Sequence, residues 1–451
     1  MIKLKKIKLS TSHLIMLSFL AVILVGTLIL MLPISAKSGE FTSFSTALFT
    51  STTATCVTGL VVVPTFSHWS VFGQIILLIL IQIGGLGVIT VMSGVMIALQ
   101  KRIGLGNRLL IQDAFNLNSL SGIVKFVKKV ILGTLIVEGI GAALYMVAFI
   151  PKYGPIGIWY ALFNSISAFC NAGIDILGPD SLSAFATNPL VNFTTCSLII
   201  IGGVGYIVWW DILRVTKEKA KKPLLSLSLH SKIAIVSSLI LIFAGALVVF
   251  ILEFNNPATL KNLNLFDKIQ ASLFQSITTR TAGFFTIPQE YFRESTSIFS
   301  IILMFIGGSP VGTAGGIKTV TIIILAASAL SAIRNKEETV LFKRKISRTA
   351  LNKALGVVFM ASSIIITSSI ILSALTPDAD AINIIYEAVS ATSTVGLTRG
   401  VTPMLSEAGK YVVAATMYLG RIGPISLAIA FNLKTTSKNL ISHPIEEISV
   451  G

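Results

Sequence analysis

STTATCVTGL (51–60) closes a short apolar segment, 45–56, that lies between two longer ones, and its pattern returns as NSISAFCNAGI (164–174), QSITTRTAGFF (275–285) and EAVSATSTVGL (387–397). Aligning the four on Gly59, Gly173, Gly283 and Gly396 gives intervals of 114, 110 and 113 residues. One glycine behind a Ser/Thr-rich run carries little information, but four at a nearly constant interval mark an internal repeat.

Each copy sits on a segment of 12 or 13 residues, 45–56, 158–170, 268–279 and 381–393. That is too short to cross a bilayer, which takes about 20 apolar residues as a helix, and fits a re-entrant half-span. Longer apolar runs flank each of them: 14–32 and 69–100, 130–150 and 189–210, 233–252 and 297–333, 354–375 and 411–433. The expected fold is therefore an all-α integral membrane protein with eight transmembrane helices and four re-entrant pore helices. They form four helix, pore-helix, helix repeats around one pore, over residues 1–105, 106–222, 223–345 and 346–433, with a cytoplasmic C-terminal tail at 434–451.

Composition agrees. Of 451 residues 53% are hydrophobic and only 12% charged; residues 41–100 and 181–210 contain no Asp, Glu, Lys or Arg at all. Stretches like these have no face to offer to water, which excludes a soluble domain and a disordered basic tail. The run 14–32 follows Lys3, Lys5, Lys6 and Lys8 but is longer than a signal-peptide core and is followed by further spans, so it reads as a first membrane helix. Cys56, Cys170 and Cys196 lie in apolar segments without metal-ligand spacing.

The chain still carries a net charge of +16, and its location sets the orientation. Segments 1–13, 101–129, 211–232, 334–353 and 434–451 hold 25 Lys and Arg against 7 acids, and the rest holds 10 against 12. The positive-inside rule puts both termini and those three loops in the cytoplasm of a cell-membrane protein, and the half-spans open outward. No aromatic interleaving accompanies the charge, so nucleic acid is not an expected partner.

A cation that crosses a bilayer exchanges its water shell for oxygen ligands, and chain segments converging on one axis supply backbone carbonyls for this. Glycine adopts backbone angles barred to residues with a Cβ, and half-helices pointing their C-termini at the axis favour positive charge. The tripeptides Val57, Thr58, Gly59; Asn171, Ala172, Gly173; Thr281, Ala282, Gly283; and Thr394, Val395, Gly396 contain no carboxylate, which suits K⁺ better than Ca²⁺ or Mg²⁺. Asp175 and Glu387 flank them and read as solvated loop charges; the alternative is that they concentrate cations at the mouth.

At these residues the chain resembles the Trk/Ktr/HKT superfamily of K⁺ transporters, and most resembles its Ktr-type membrane subunit. The likeness includes IQIGGLG (81–87), IGGVGY (201–206) and YLGRIGP (418–424) and extends from residue 14 to the C-terminus. The resemblance implies K⁺ as the transported ion, Na⁺ as a modulator, no organic cofactor on this chain, and a homodimer with one pore per subunit. It also implies a cytosolic nucleotide-binding regulatory ring of RCK/KTN type on the basic face, and a dimer contact made by 434–451. In the resembled family a glycine at every filter position goes with K⁺ preference. One aligned glycine per repeat is a looser filter than a TVGYG lining, so some Na⁺ passage is expected.

The sixth apolar run is too long for one helix. Gly307, Gly308, Gly312, Gly315 and Gly316, with Ser309 and Pro310, crowd into ten residues before Lys318. Gly and Pro disfavour helix interiors, and irregular backbone survives inside a membrane only where protein or a water-filled cavity surrounds it. Two helices joined by a loop in the pore are expected, and the resemblance makes that loop an intramembrane gate. GTAGGIKT (312–319) is no phosphate-binding loop, because Ile317 stands before Lys318 and no strand precedes it. Arg421 interrupts the last span, where an unpaired charge costs about 2.5 kcal/mol or more, so it should face the pore or a partner. The resemblance assigns it to the gate, as a barrier to cations. Glu138, alone in 130–150, reads as the partner of a buried donor; as a proton-coupling acid it would instead point to a Na⁺- or H⁺-coupled transporter. No grouping of His, Cys and acids suggests an enzyme.

Overall fold

The computed structural model describes residues 11–101, 104–114, 121–218 and 223–423. The N-terminal lysines, the end of the last span beyond 423 and the tail 434–451 lie outside the described residues.

One order of four helices occurs three times, and its first three members occur a fourth time within the described residues. It runs α1 (Thr11–Leu30), α2 (Phe44–Cys56), α3 (Val71–Leu86), α4 (Val88–Ala98); α5 (Ile123–Tyr153), α6 (Gly157–Phe169), α7 (Pro189–Gly203), α8 (Tyr206–Lys217); α9 (Leu229–Glu253), α10 (Leu265–Thr278), α11 (Glu294–Phe305), α12 (Thr319–Ile333); and α13 (Arg348–Leu375), α14 (Ala381–Thr392), α15 (Glu407–Ile422). The half-helices α2, α6, α10 and α14 begin and end within three residues of their expected bounds. Local chemistry sets many of the starts. Side chains of Ser43, Ser70, Asn188, Ser228, Asn264, Ser347 and Ser406 each accept a backbone N–H of the first turn, which would otherwise be unpaired.

The long outer helices carry apolar side chains on their exposed faces, among them Leu28, Phe243 and Phe359, as lipid contact requires. Among the described residues four helices are long and apolar enough to cross a membrane, and six if each sharply bent pair counts as one span. The runs 69–100 and 189–210 are not the straight spans expected from hydropathy. α3 meets α4 at 101° and α7 meets α8 at 94°. Gly87 (φ +85°) and Gly205 (φ +94°) stand at these corners, and Gly423 (φ +86°) ends α15 with the same left-handed backbone. A residue with a Cβ would resist those angles, and the helical ladder stops there. The run 297–333 breaks as expected, into α11 and α12.

Among the described residues the only strands are those of a short hairpin, β1 (Val340–Leu341) with β2 (Arg344–Lys345), in a water-facing loop. Phe342 and Lys343 both take positive φ in its turn, the geometry that matches the twist of two short strands.

Each half-helix is packed by the same device in the first three repeats. Ser51, Ser165 and Ser276 donate their hydroxyls to the carbonyls of Ile23, Glu138 and Ile242 on the preceding long helix, at 2.7, 2.6 and 2.8 Å. Gly26, Gly141 and Gly245, three residues further along, leave the room; a Cβ there would collide with the serine. In the fourth repeat Ala388 stands where that serine would be.

At the C-terminal end of α9 the buried Glu253 gathers the loop around it. Its carboxylate accepts from Asn256 Nδ2 (2.6 Å), Thr259 Oγ1 (2.8 Å), Arg293 N (3.0 Å) and Thr296 Oγ1. Glu253→Ala would remove the acceptor shared by these four donors, and the buried Thr259 and Thr296 hydroxyls would each cost about 1–3 kcal/mol if left unpaired. The expected result is a thermal midpoint several degrees lower for the detergent-purified protein, and an unshifted midpoint would show that this cluster does not hold the loop.

Candidate functional site

The four tripeptides meet at the centre of the chain in a closed order. A Cβ placed on Gly59 would lie 2.6 Å from the carbonyl oxygen of Ala172, one on Gly173 2.6 Å from that of Ala282, and one on Gly283 2.6 Å from that of Val395. A Cβ on Gly396 would strike the carbonyl of Thr58, so the cycle closes on the first repeat. Each glycine therefore faces the middle carbonyl of the next repeat, and nothing larger than hydrogen fits between.

Backbone geometry repeats as well. The first residues Val57, Asn171, Thr281 and Thr394 have φ of 55°, 58°, 70° and 51°, and the glycines have 103°, 64°, 81° and 94°, while the middle residues keep negative φ. In an ordinary extended chain successive carbonyls point to opposite sides. Changing the sign of φ at alternate residues brings them to one side, at a steric cost that valine, threonine and asparagine all bear here. Hydroxyls of the half-helices hold the far end of each tripeptide. Thr53 Oγ1 accepts from Gly59 N at 3.0 Å and Ser390 Oγ from Gly396 N at 3.1 Å. Ser167 donates to Ile174 O at 2.5 Å, and Thr278 donates to Phe284 O. These four residues were visible in the sequence only as a Ser/Thr-rich composition.

The glycine-rich loop 306–318 lies against this ring. Ile306 pairs with Ile317 as a short bridge, and Gly307 N donates to Ile317 O at 2.9 Å. The loop ties to the second repeat through Ser309 N on Gly203 O (2.9 Å), Thr313 N on Gly202 O (3.1 Å) and Tyr206 N on Val311 O (2.8 Å). It touches the tripeptides directly. Gly315 N donates to Thr281 Oγ1 at 3.1 Å, and Thr313 Oγ1 donates to Phe169 O at 3.0 Å with Asn171 Oδ1 at 3.5 Å. A Cβ on Gly315 would strike Thr394. Gly308 and Gly312 lie close to Gly203 and to Gly202 and Gly205, so the loop fits only as glycine at several points.

Arg421 closes the arrangement from the other side. Its Nη1 donates to Thr313 O at 2.8 Å and its Nη2 to Gly84 O at 2.5 Å, so it ties the loop to α3. It faces inward, as its cost in lipid demands, but its partners are carbonyls; the four ion pairs among the described residues all lie in water-facing segments. Lys318 likewise donates to carbonyls of its own loop, Ala314 O at 2.6 Å and Gly315 O at 3.4 Å. Both cations line a cavity of about 340 Å³ that also touches Gly87, Gly316 and Gly423.

Glu138 is buried in α5 and receives Gln82 Nε2 at 3.2 Å, with the Cys170 thiol 4.0 Å away. This is the partner role for a buried donor, filled by an amide. Glu387 is not the solvated loop charge expected from its place beside a glycine turn. It is fully buried and accepts from Thr398 Oγ1 at 2.6 Å and from Thr402 Oγ1, two hydroxyls of the segment after the fourth tripeptide. Asp175 is half-buried and accepts from Leu177 N at 3.2 Å. Arg280, which precedes Thr281, was passed over in the sequence although it is a charge inside the repeat; it is buried. Among the described residues no group of His, Cys and acids has metal-ligand geometry, and all three cysteines are free and buried.

Residues 6–443 match the family TrkH, described as cation transport protein. The chain is 39% identical over 448 residues to the Ktr system potassium uptake protein B of Bacillus subtilis, covering 99% of this chain and 98% of the relative. It is 36% identical over 450 residues to the potassium/sodium uptake protein NtpJ of Enterococcus hirae, with 98% of each covered. To the Ktr system potassium uptake protein B of Vibrio alginolyticus it is 36% identical over 440 residues, 97% of this chain and 94% of the relative. The crystal structure of the potassium transporter TrkH from Vibrio parahaemolyticus has the same fold, with a TM-score of 0.76 at 16% identity over 95% of this chain and 86% of that one.

Proposed function

The chain belongs to the TrkH family of cation transport proteins, and from that footing we propose that it takes up potassium through a channel-like path centred on the four tripeptides. The family is one of multi-pass membrane transporters, not of enzymes. The observation that carries the reading is the cyclic order of contacts among Gly59, Gly173, Gly283 and Gly396: four repeats of one chain converge on a single axis with backbone oxygens around it. Relatives at 39% and 36% identity are named potassium uptake proteins. An ion held by carbonyls, with no carboxylate in the tripeptides, fits a large monovalent cation.

In this reading the recurring elements make eight membrane crossings and four re-entrant half-helices, one set in each of 1–105, 106–222, 223–345 and 346–433. The loop 306–318 stands across the path on its cytoplasmic side as a gate, held by Thr281, Asn171 and Arg421. The basic loops face the cytoplasm with both termini, so an inward-moving K⁺ gains about 2.3 kcal/mol for every 100 mV of inside-negative potential. Subunits pair as homodimers, and a cytosolic nucleotide-binding ring docks on loops 101–129, 211–232 and 334–353.

A Na⁺- or H⁺-coupled transporter is the second reading. The name potassium/sodium uptake protein of the Enterococcus hirae relative and the buried carboxyl of Glu138 favour it. Reconstituted protein separates the two. With Na⁺ absent, pH equal on both sides and an inside-negative potential imposed, K⁺ influx is expected to persist and to scale with the potential. Influx that stays at the background of empty vesicles until Na⁺ or a proton gradient is supplied would assign the coupled mechanism instead.

A further inference from the structure

Arg280 ends the half-helix α10 side by side with the third tripeptide, and it is more than nine-tenths buried. Its Nη1 donates to Ser238 O at 3.3 Å and its Nη2 to Ser238 Oγ at 3.2 Å, both on α9. Its Nε has no partner, and among the described residues no carboxylate lies within ion-pair distance of the guanidinium. An arginine does not shed its charge by deprotonation inside a protein, so a whole positive charge stands uncompensated beside the ring.

A small void of about 20 Å³ adjoins it, touched by Arg280, Ser238, Asn171, Gly203 and Gly308 and otherwise walled by aliphatic side chains. Asn171 is the second residue there with a donor left over. Its Oδ1 is turned toward Thr313, while its Nδ2 has no partner and lies on the side of Gly203, whose Cβ position is 3.4 Å away. The void is of the size that holds one water-sized occupant.

We propose that this void is a binding site for one halide-sized anion, chloride under cellular conditions, held by Arg280 and Asn171. The chemistry of the two unpaired groups selects the occupant. Both are donors, so they need an acceptor. A water molecule would accept from both and could turn its hydrogens to Ser238 or to the backbone carbonyls of Gly203 and Gly308, but the guanidinium charge would remain uncompensated. A halide accepts from both donors, has no hydrogens to place and neutralises the charge at the point where it would repel a cation next to Thr281 and Gly283. Sulfate and gluconate are too large for the space.

The test uses the purified, detergent-solubilised wild type in chloride, bromide and gluconate at equal ionic strength. Thermal midpoints in chloride and bromide are expected to stand several degrees above that in gluconate, because a ligand that binds only the folded state stabilises it. Crystals grown in bromide are expected to show one anomalous peak between Arg280 and Asn171. Arg280→Gln is expected to lose both the peak and the salt difference. Equal midpoints of the wild type in all three salts with no bromide peak would overturn the proposal, and this comparison requires no variant to fold. A bromide peak that survives in Arg280→Gln would overturn the role given to the guanidinium.

Discussion

Gly283→Ser is expected to abolish rescue of a potassium-uptake-deficient bacterium at limiting K⁺, while the protein is still made and inserted. Gly283 takes φ +81°, and its Cβ position is 2.6 Å from the Val395 carbonyl oxygen and 3.0 Å from the Gly173 Cα. A left-handed backbone costs a residue with a Cβ about 1–2 kcal/mol, and the collision adds to that. The strain is relieved by pushing aside the oxygens that would replace the ion's water shell. A loss of about 1.4 kcal/mol in ion stabilisation is a factor of ten in rate, so K⁺ influx should fall by at least that, with the preference for K⁺ over Na⁺ lowered alongside it. Serine is small, and its hydroxyl offers an oxygen of its own. Rescue equal to the wild type across the limiting range would therefore mean that the ring is not the selective point of the path.

Deleting 311–316 acts in the opposite direction: K⁺ influx per unit of inserted protein is expected to rise. The excised residues carry Thr313 and Gly315, which bind Asn171, Thr281 and Arg421. A net hydrogen bond contributes about 1 kcal/mol, so two or three together hold the loop across the path by a few kcal/mol, roughly ten- to a hundredfold in opening. Arg421→Gln is the graded companion. It removes two donated bonds and a repelling charge but leaves the loop in place, and a smaller rise is expected. Unchanged flux in the deletion variant would make 306–318 a packing kink and not a gate.

Much of this architecture could be read from residue order alone, because length and spacing are what a bilayer and a repeat constrain. The half-helices could be placed within three residues, and the break between α11 and α12 was marked by its five glycines. What hydropathy does not encode is backbone sign. Gly87 and Gly205 sit inside uninterrupted apolar runs, so both runs read as straight spans, although the motifs IQIGGLG and IGGVGY contain the corner glycines. Partners were equally hidden. Glu387 meets Thr398 and Thr402 across the turn that follows the fourth tripeptide, and the rule that makes an exposed acid the default near a turn misplaced it. Arg280 was overlooked because a charge next to Ser and Thr at a helix end has nothing unusual about it until its burial is seen.

The ring is made by one chain and not by four identical ones, and this frees each quarter from the others. A tetramer of identical subunits must repeat every side chain four times around its axis. Four copies of Arg280 would crowd four positive charges around a cation path, and four copies of the 306–318 loop could not share the space beneath one ring. Joined in a single polypeptide, the quarters keep a common backbone at the oxygens and divide the remaining tasks: the third quarter carries the loop, the fourth the arginine that anchors it, and the second the asparagine that it touches. A division of labour of this kind lets any one quarter change in evolution without a fourfold penalty.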